Sequence, residues 1–220
     1  MNRTVAHIFS LLFHPLLILT YALLFLLTVN PYAFSVRDLA DRRAVLLLLS
    51  VFTTSFMLPA FGVGLMKPLG LIKSLQLEDK MERIGPYILS GVFYLWLYKN
   101  LASGEHAPPL FNSFVLGTTI ALFFAFFINI FTKISVHAVG MGGLVAMVLV
   151  TSRVWDQSVF NLPAFGYTLQ MSLNAVLALV ILLAGLVGTA RLALGAHVPA
   201  DLYRGYAAGI VAVLAGSVLS

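Results

Sequence analysis

The stretch Arg191-Leu-Ala-Leu-Gly-Ala-His197-Val-Pro-Ala-Asp201 holds the sequence's densest set of reactive groups. His197 and Asp201 stand four residues apart, so on a helix they share a face and the carboxylate accepts a hydrogen bond from one imidazole nitrogen. That bond fixes the tautomer and leaves the lone pair of the other nitrogen free as a nucleophile or base. Arg191 precedes the helix this spacing predicts, where its guanidinium and the helix N-terminus together suit an anion. A second stretch, Lys133-Ile-Ser135-Val-His137, repeats the four-residue spacing between a lysine and a histidine, and His137 there suits a proton donor to a leaving group. A third, Asp79-Lys80-Met-Glu82-Arg83-Ile-Gly-Pro86, offers Lys80 and Arg83 to a phosphate, with Pro86 fit for the first turn of a helix. Each stretch alone has a plainer reading: a snorkelling arginine, a helix-capping histidine, a charged loop in water.

The elements that must position these groups are membrane helices. Hydrophobic residues make up 60% of the 220 and charged residues 10%, with a mean hydropathy of +0.99. A water-soluble domain of this length carries far more charge. Apolar runs of about 20 residues predict transmembrane helices near Val5–Val29, Ala44–Met66, Pro86–Ala102, Asn112–Phe131, Val136–Ser152, Met171–Ala190 and Leu202–Leu219. The fold class is therefore all-α, a polytopic bundle of about seven helices forming one domain over residues 1–220. Counted from the N-terminus, successive pairs of crossings return the chain to its starting side at Leu71–Gly85, Lys133–His137 and Arg191–Asp201. Seven spans thus put all three polar stretches on one face of the membrane.

With no cysteine in the chain, disulfides and thiolate metal sites are excluded. No Gly-rich nucleotide loop occurs, and no metal or other cofactor is expected. The net charge of +5 fits membrane topology and anionic lipid or phosphate groups rather than nucleic acid.

Arg, five residues, His, three residues, Asp at Arg191–Asp201 resembles the third motif of the type 2 phosphatidic acid phosphatase family, which includes vanadium haloperoxidases. Ser135-Val-His137 is similar to its second motif, usually Pro-Ser-Gly-His, and Lys80, Arg83 and Pro86 to its first, usually Lys, six residues, Arg-Pro. The resemblance covers roughly 71–220, leaving 1–70 as two additional N-terminal helices. It implies a metal-independent phosphoric ester or diphosphate hydrolase acting on a phosphorylated lipid. It further implies that His197 attacks phosphorus to give a phosphohistidine, Asp201 orients it, His137 protonates the leaving group, and Arg191, Arg83 and Ser135 hold the phosphoryl oxygens. This sequence departs from the pattern at Ile134 for Pro, Val136 for Gly and Ala190 for Ser, and Pro86 follows Arg83 by three. Gln76 and Leu77 stand where the first motif's lysine belongs, so the third cation falls to Lys133 or Lys80, and Lys133 is favoured because acidic neighbours surround Lys80. A reading from another class is a catalytically silent relative that binds or transports anionic lipid or phosphate compounds.

Bacterial members of that family place the expectation in the inner membrane with the site facing the periplasm. His7 and His14 read as interhelical hydrogen-bonding groups, and Glu105 with His106 as a solvated pair. Tyr203, Arg204 and Tyr206 fit an interfacial belt. Gly140, Gly142, Gly143, Gly205 and Gly209 predict surfaces where helices approach closely.

Overall fold

The structure, a computed structural model, describes residues 1–77, 79–104, 107–156, 158–164 and 167–219; Glu105 and His106, named above, lie outside these residues. Its first apolar run breaks where proline requires it. Helix α1 (Arg3–Leu12) ends at Phe13. Pro15 has no N–H for the helix ladder and its ring clashes with the preceding turn, so a 3₁₀ turn over Pro15–Leu17 intervenes before α2 (Ile18–Val29). His14 caps that turn, its Nδ1 accepting from the Leu16 N–H at 3.4 Å. The Tyr21 hydroxyl donates to the Leu12 carbonyl at 2.8 Å, filling an acceptor near the break. The continuous helix expected over Val5–Val29 is thus corrected to one bent span, Arg3–Val29.

Asp41 caps α3 (Arg42–Phe52), accepting from the Arg43 N–H at 3.0 Å. Backbone bonds from Arg43 and then Arg37 hold its carboxyl below the usual carboxylate range. Ahead of Pro59 the helix widens into a π turn over Thr53–Met57 and continues as α4 (Leu58–Met66). Pro59 cannot bond the carbonyl four residues back, and the wider turn absorbs that gap. Beyond it, Gly62 faces α5 (Ile84–Ala102) so closely that a Cβ would strike the Leu89 side chain.

The remaining helices are α6 (Pro109–Phe131), α7 (Val136–Val154), α8 (Leu173–Ala193) and α9 (Pro199–Leu219). Among the described residues six helical spans are long and apolar enough to cross a membrane, one short of the about seven expected. The one that falls short is α5. It has 19 residues, but Tyr87, Tyr94, Trp96, Tyr98, Lys99 and Asn100 dilute its apolar character.

The bundle is helical as expected, with one short addition. An antiparallel hairpin, β1 (Val159–Ala164) with β2 (Tyr167–Ser172), joins α7 to α8 and pairs Phe160 with Met171. Phe160 is buried and sets its ring edge-on to Phe25 of α2 at 6.2 Å, and Leu162 and Met171 pack against the same core. The helix expected from Met171 begins at Leu173, where Ser172 caps it by accepting from the Ala175 N–H.

Many large apolar side chains face outward while several polar ones are buried, an arrangement that suits a lipid surround. Phe127, Phe131, Leu182 and Val211 are exposed, while Ser113, Thr119, Asn129 and Thr151 are buried. The closest pairing is α7 with α9. A Cβ on Gly205 would lie 2.7 Å from the Ala138 Cβ and the Ser135 carbonyl, and one on Gly209 would collide with the Val139 carbonyl. These glycines let α9 lie backbone to backbone on α7.

Candidate functional site

The three polar stretches meet at one end of the bundle. The turn into α9 is set by Gly195, whose φ of +66° few side chains tolerate. It ends α8 with two paired bonds, Gly195 N–H to the Leu192 carbonyl and Ala196 N–H to the Arg191 carbonyl. Pro199 then opens α9 at the position where a missing N–H costs nothing. His197 therefore lies in the connection before the helix, which corrects the expectation that it shares a helical face with Asp201. The pair forms because Asp201, in the first turn, reaches back: its Oδ2 accepts from His197 Nδ1–H at 3.2 Å and from the Val198 N–H at 3.3 Å. His197 is 8% and Asp201 4% exposed, so solvent does not compete for the bond.

The contact settles the tautomer. A carboxylate only accepts, so the proton sits on Nδ1 and Nε2 carries the lone pair. Burial pushes the His197 pKa down to about 4; the Asp201 hydrogen bond opposes the shift, and the charges of Arg191 and Arg83 add to it. The ring is neutral at ordinary pH, the state a nucleophile needs.

Arg191 occupies the last turn of α8 rather than the approach to α9, a second correction to its expected place, and one that suits its charge to the helix C-terminus. Its Nη1 donates to Ser10 Oγ at 3.2 Å. Its Nε is buried without a hydrogen-bond partner among the described residues. Arg83, 8% exposed, donates from Nε to the Leu77 carbonyl at 2.8 Å and from Nη1 to the Ile134 carbonyl at 3.3 Å, which docks the first stretch onto the second.

Ser135 is fully buried and caps α7, its Oγ accepting from the Ala138 N–H at 3.4 Å. Its own N–H donates to the Asp201 carbonyl at 3.2 Å, tying the second stretch to the third. His137 turns toward α1, where its Nε2–H donates to the Ser10 carbonyl at 3.0 Å. A carbonyl only accepts, so Nδ1 is the nitrogen of His137 left for chemistry. The two lysines differ. Lys80 Nζ donates to the Ile130 and Phe131 carbonyls at 3.0 and 3.5 Å, and its carbonyl accepts from Asn129 Nδ2 at 2.7 Å, so it caps the end of α6. Lys133 is half-buried between α6 and α7 and makes no hydrogen bond or ion pair among the described residues.

Three participants escape the sequence motifs. Ser10 touches both Arg191 and His137. The His14 ring lies edge-on to His137 with centroids 5.9 Å apart. Arg204, expected in an interfacial belt, places Nη1 3.6 Å from Asp201 Oδ1 and 3.0 Å from Thr132 Oγ1. Only Arg204 left a signal in the sequence, its three-residue spacing from Asp201. No group of histidines and carboxylates suited to a metal occurs among the described residues.

Together the groups form a cation-rich cluster around one neutral imidazole with a directed lone pair. Comparison with protein-family models, with curated proteins and with solved structures finds no match to this chain.

Proposed function

We propose that this chain is an integral membrane phosphatase that hydrolyses a phosphomonoester or diphosphate of a lipid through a phosphohistidine. The observation that carries the reading is the His197–Asp201 pair, its Nε2 lone pair free, beside an arginine with a buried and unpartnered Nε. An unpaired buried donor costs about 1–3 kcal/mol, and an anionic oxygen at Arg191 relieves that cost.

In the first step His197 Nε2 attacks phosphorus. The N–P bond forms, the P–O bond to the leaving group breaks, and the released oxygen takes a proton from His137 Nδ1. Because Nε2–H stays with Ser10, His137 donates as the imidazolium and is left neutral. In the second step His137 accepts a proton from water, whose oxygen attacks phosphorus. The N–P bond breaks, its electron pair returns to Nε2, and phosphate leaves. Arg191, Arg83 and Lys133 hold the non-bridging oxygens, with the Ser135 hydroxyl and the N-terminus of α7 as further donors. Lys80, committed to α6, takes no part.

A lipid substrate is supported by the place of the polar cluster at one end of a bundle of membrane-length helices, where a headgroup can meet it while the tail stays in the bilayer. In this reading α5 is a seventh crossing, since it packs along α6 and its first residues meet Ile134 through Arg83. The membrane is the bacterial inner membrane and the site faces the periplasm, as in bacterial members of the resembled family.

The test is phosphate release by detergent-purified protein on a panel of lipid phosphates, with an acid-labile phosphoryl group trapped on His197 during turnover. His197→Ala should abolish both. Undiminished turnover by His197→Ala would end the hypothesis. A second reading, an anion-binding protein without turnover, is favoured by the commitment of Arg83 to two backbone carbonyls; phosphate binding with no release on any substrate would select it.

A further inference from the structure

We infer that Ser10, on α1, is a positioning residue of the anion site: its hydroxyl holds the Arg191 guanidinium and its carbonyl holds the His137 ring. The inference rests on reading the cluster as a phosphate site, and it makes the N-terminal helix an integral part of that site.

A serine inside a helix ordinarily gives its hydroxyl to the carbonyl one turn back. Ser10, 8% exposed, instead accepts from Arg191 Nη1 at 3.2 Å. Its carbonyl is available for a different reason. In an unbroken helix it would accept from the His14 N–H, but the break before Pro15 sends that N–H to the Leu11 carbonyl at 3.2 Å. The acceptor so released is the one His137 Nε2–H takes at 3.0 Å. One residue thus orients a phosphate ligand through its side chain and a proton donor through its backbone. Pro15, remote in sequence from all three polar stretches, is what frees the second contact.

The hydroxyl can be removed alone, because alanine keeps the carbonyl and is the best helix former. The probe is inorganic phosphate and the readout is thermal stabilisation of the detergent-purified full chain as phosphate is titrated, which needs no turnover. Ser10→Ala should raise the phosphate concentration for half-maximal protection about tenfold, the loss of one hydrogen bond to a charged group. Ser10→Thr should restore most of the wild-type response. In an Arg191→Ala background the Ser10→Ala change should have no further effect on the half-point, since the two act as one unit. A purely structural serine would lower the melting temperature without moving the half-point, and that result overturns the inference. So does a half-point shift that persists without Arg191, or a wild-type protein that phosphate does not stabilise. A Ser10-dependent half-point in a protein that releases no phosphate from any substrate would uphold this inference while the catalytic reading falls.

Discussion

Two contacts close on the His197 cluster, and they are built from different parts. Where α9 lies on α7, Asp201, Gly205 and Gly209 form one stripe and the backbones touch. Where α1 meets α8, the contact near the site is made by a side chain, Arg191 on Ser10. The first contact cannot shift without unpacking the bundle. The second is a hydrogen bond between adjustable groups, and it leaves the rest of the Arg191 guanidinium available. The difference separates a rigid wall, which carries Asp201 and through it holds His197, from an adaptable wall, which carries the Arg191 guanidinium.

The largest effect should come from breaking the rigid wall. Gly209→Leu drives a side chain into the Val139 carbonyl, where the backbone cannot yield as a side chain would. The cost should exceed the roughly 1–3 kcal/mol of ordinary overpacking, and size-exclusion of the detergent extract should show no folded species. A monodisperse Gly209→Leu protein with wild-type melting would remove the distinction between the two walls.

Next is Asp201→Asn, which keeps the packing and loses the tautomer control. Turnover should fall roughly 10²–10⁴-fold with melting little changed. The pH profile tests the same bond. The His197 pKa is lowered to about 4, with burial the leading cause and the Asp201 bond opposing it. The acid limb of kcat should therefore lie near 4, and Asp201→Asn should move it lower as well as reducing its height. The same shift acts on stability. Protonated His197 is favoured by the unfolded chain, so its contribution is full above about 6.5, declines as pH falls toward about 4, and is gone below that. An acid limb that stays at the ordinary imidazole position in both proteins would exclude His197 as the nucleophile.

The lysines give the smaller effects. Lys133→Gln should weaken phosphate or vanadate binding by roughly 1.5–3 kcal/mol, the range for a hydrogen bond to a charged group. Lys80→Gln should leave anion binding alone and lower stability by about 0.3–1 kcal/mol, since its ammonium caps the C-terminus of α6. Inhibition and melting curves on the two variants separate the roles, and the reverse pattern would move the anion grip to Lys80.

How much of this was legible follows from how local each contact is. His197 and Asp201 meet across four residues, so their nearness was legible, although the pair forms across a turn and not along one helical face. The membrane class is legible too, because apolar length is a property of each run by itself. By hydropathy alone α5 falls short, because its tyrosines and tryptophan are polar on that scale although they pack well in a bundle; Tyr94 is 5% exposed. Ser10 and Arg191 lie 181 positions apart, and no pattern links them. The Ser10 carbonyl belongs to the backbone, which carries no residue identity at all. The hairpin was hidden because its apolar residues, such as Phe160 and Met171, fit a helix end as well as a strand, and only their packing on the core decides between them.

The π turn at Thr53–Met57 acts as a phase shifter in the second span. It accommodates one more residue than a regular α-helix would, and each residue of a regular helix advances the azimuth by about 100°. Everything beyond it, including Gly62, is rotated by that amount relative to α3. Removing a single residue from Thr53–Met57 would take out that extra residue and leave a regular helix with Gly62 still facing Leu89, whereas removing one from the regular turns of α3 would turn the two halves of the span against each other by about 100°. The deletion within the π turn should therefore be the milder of the two, although neither touches the polar cluster.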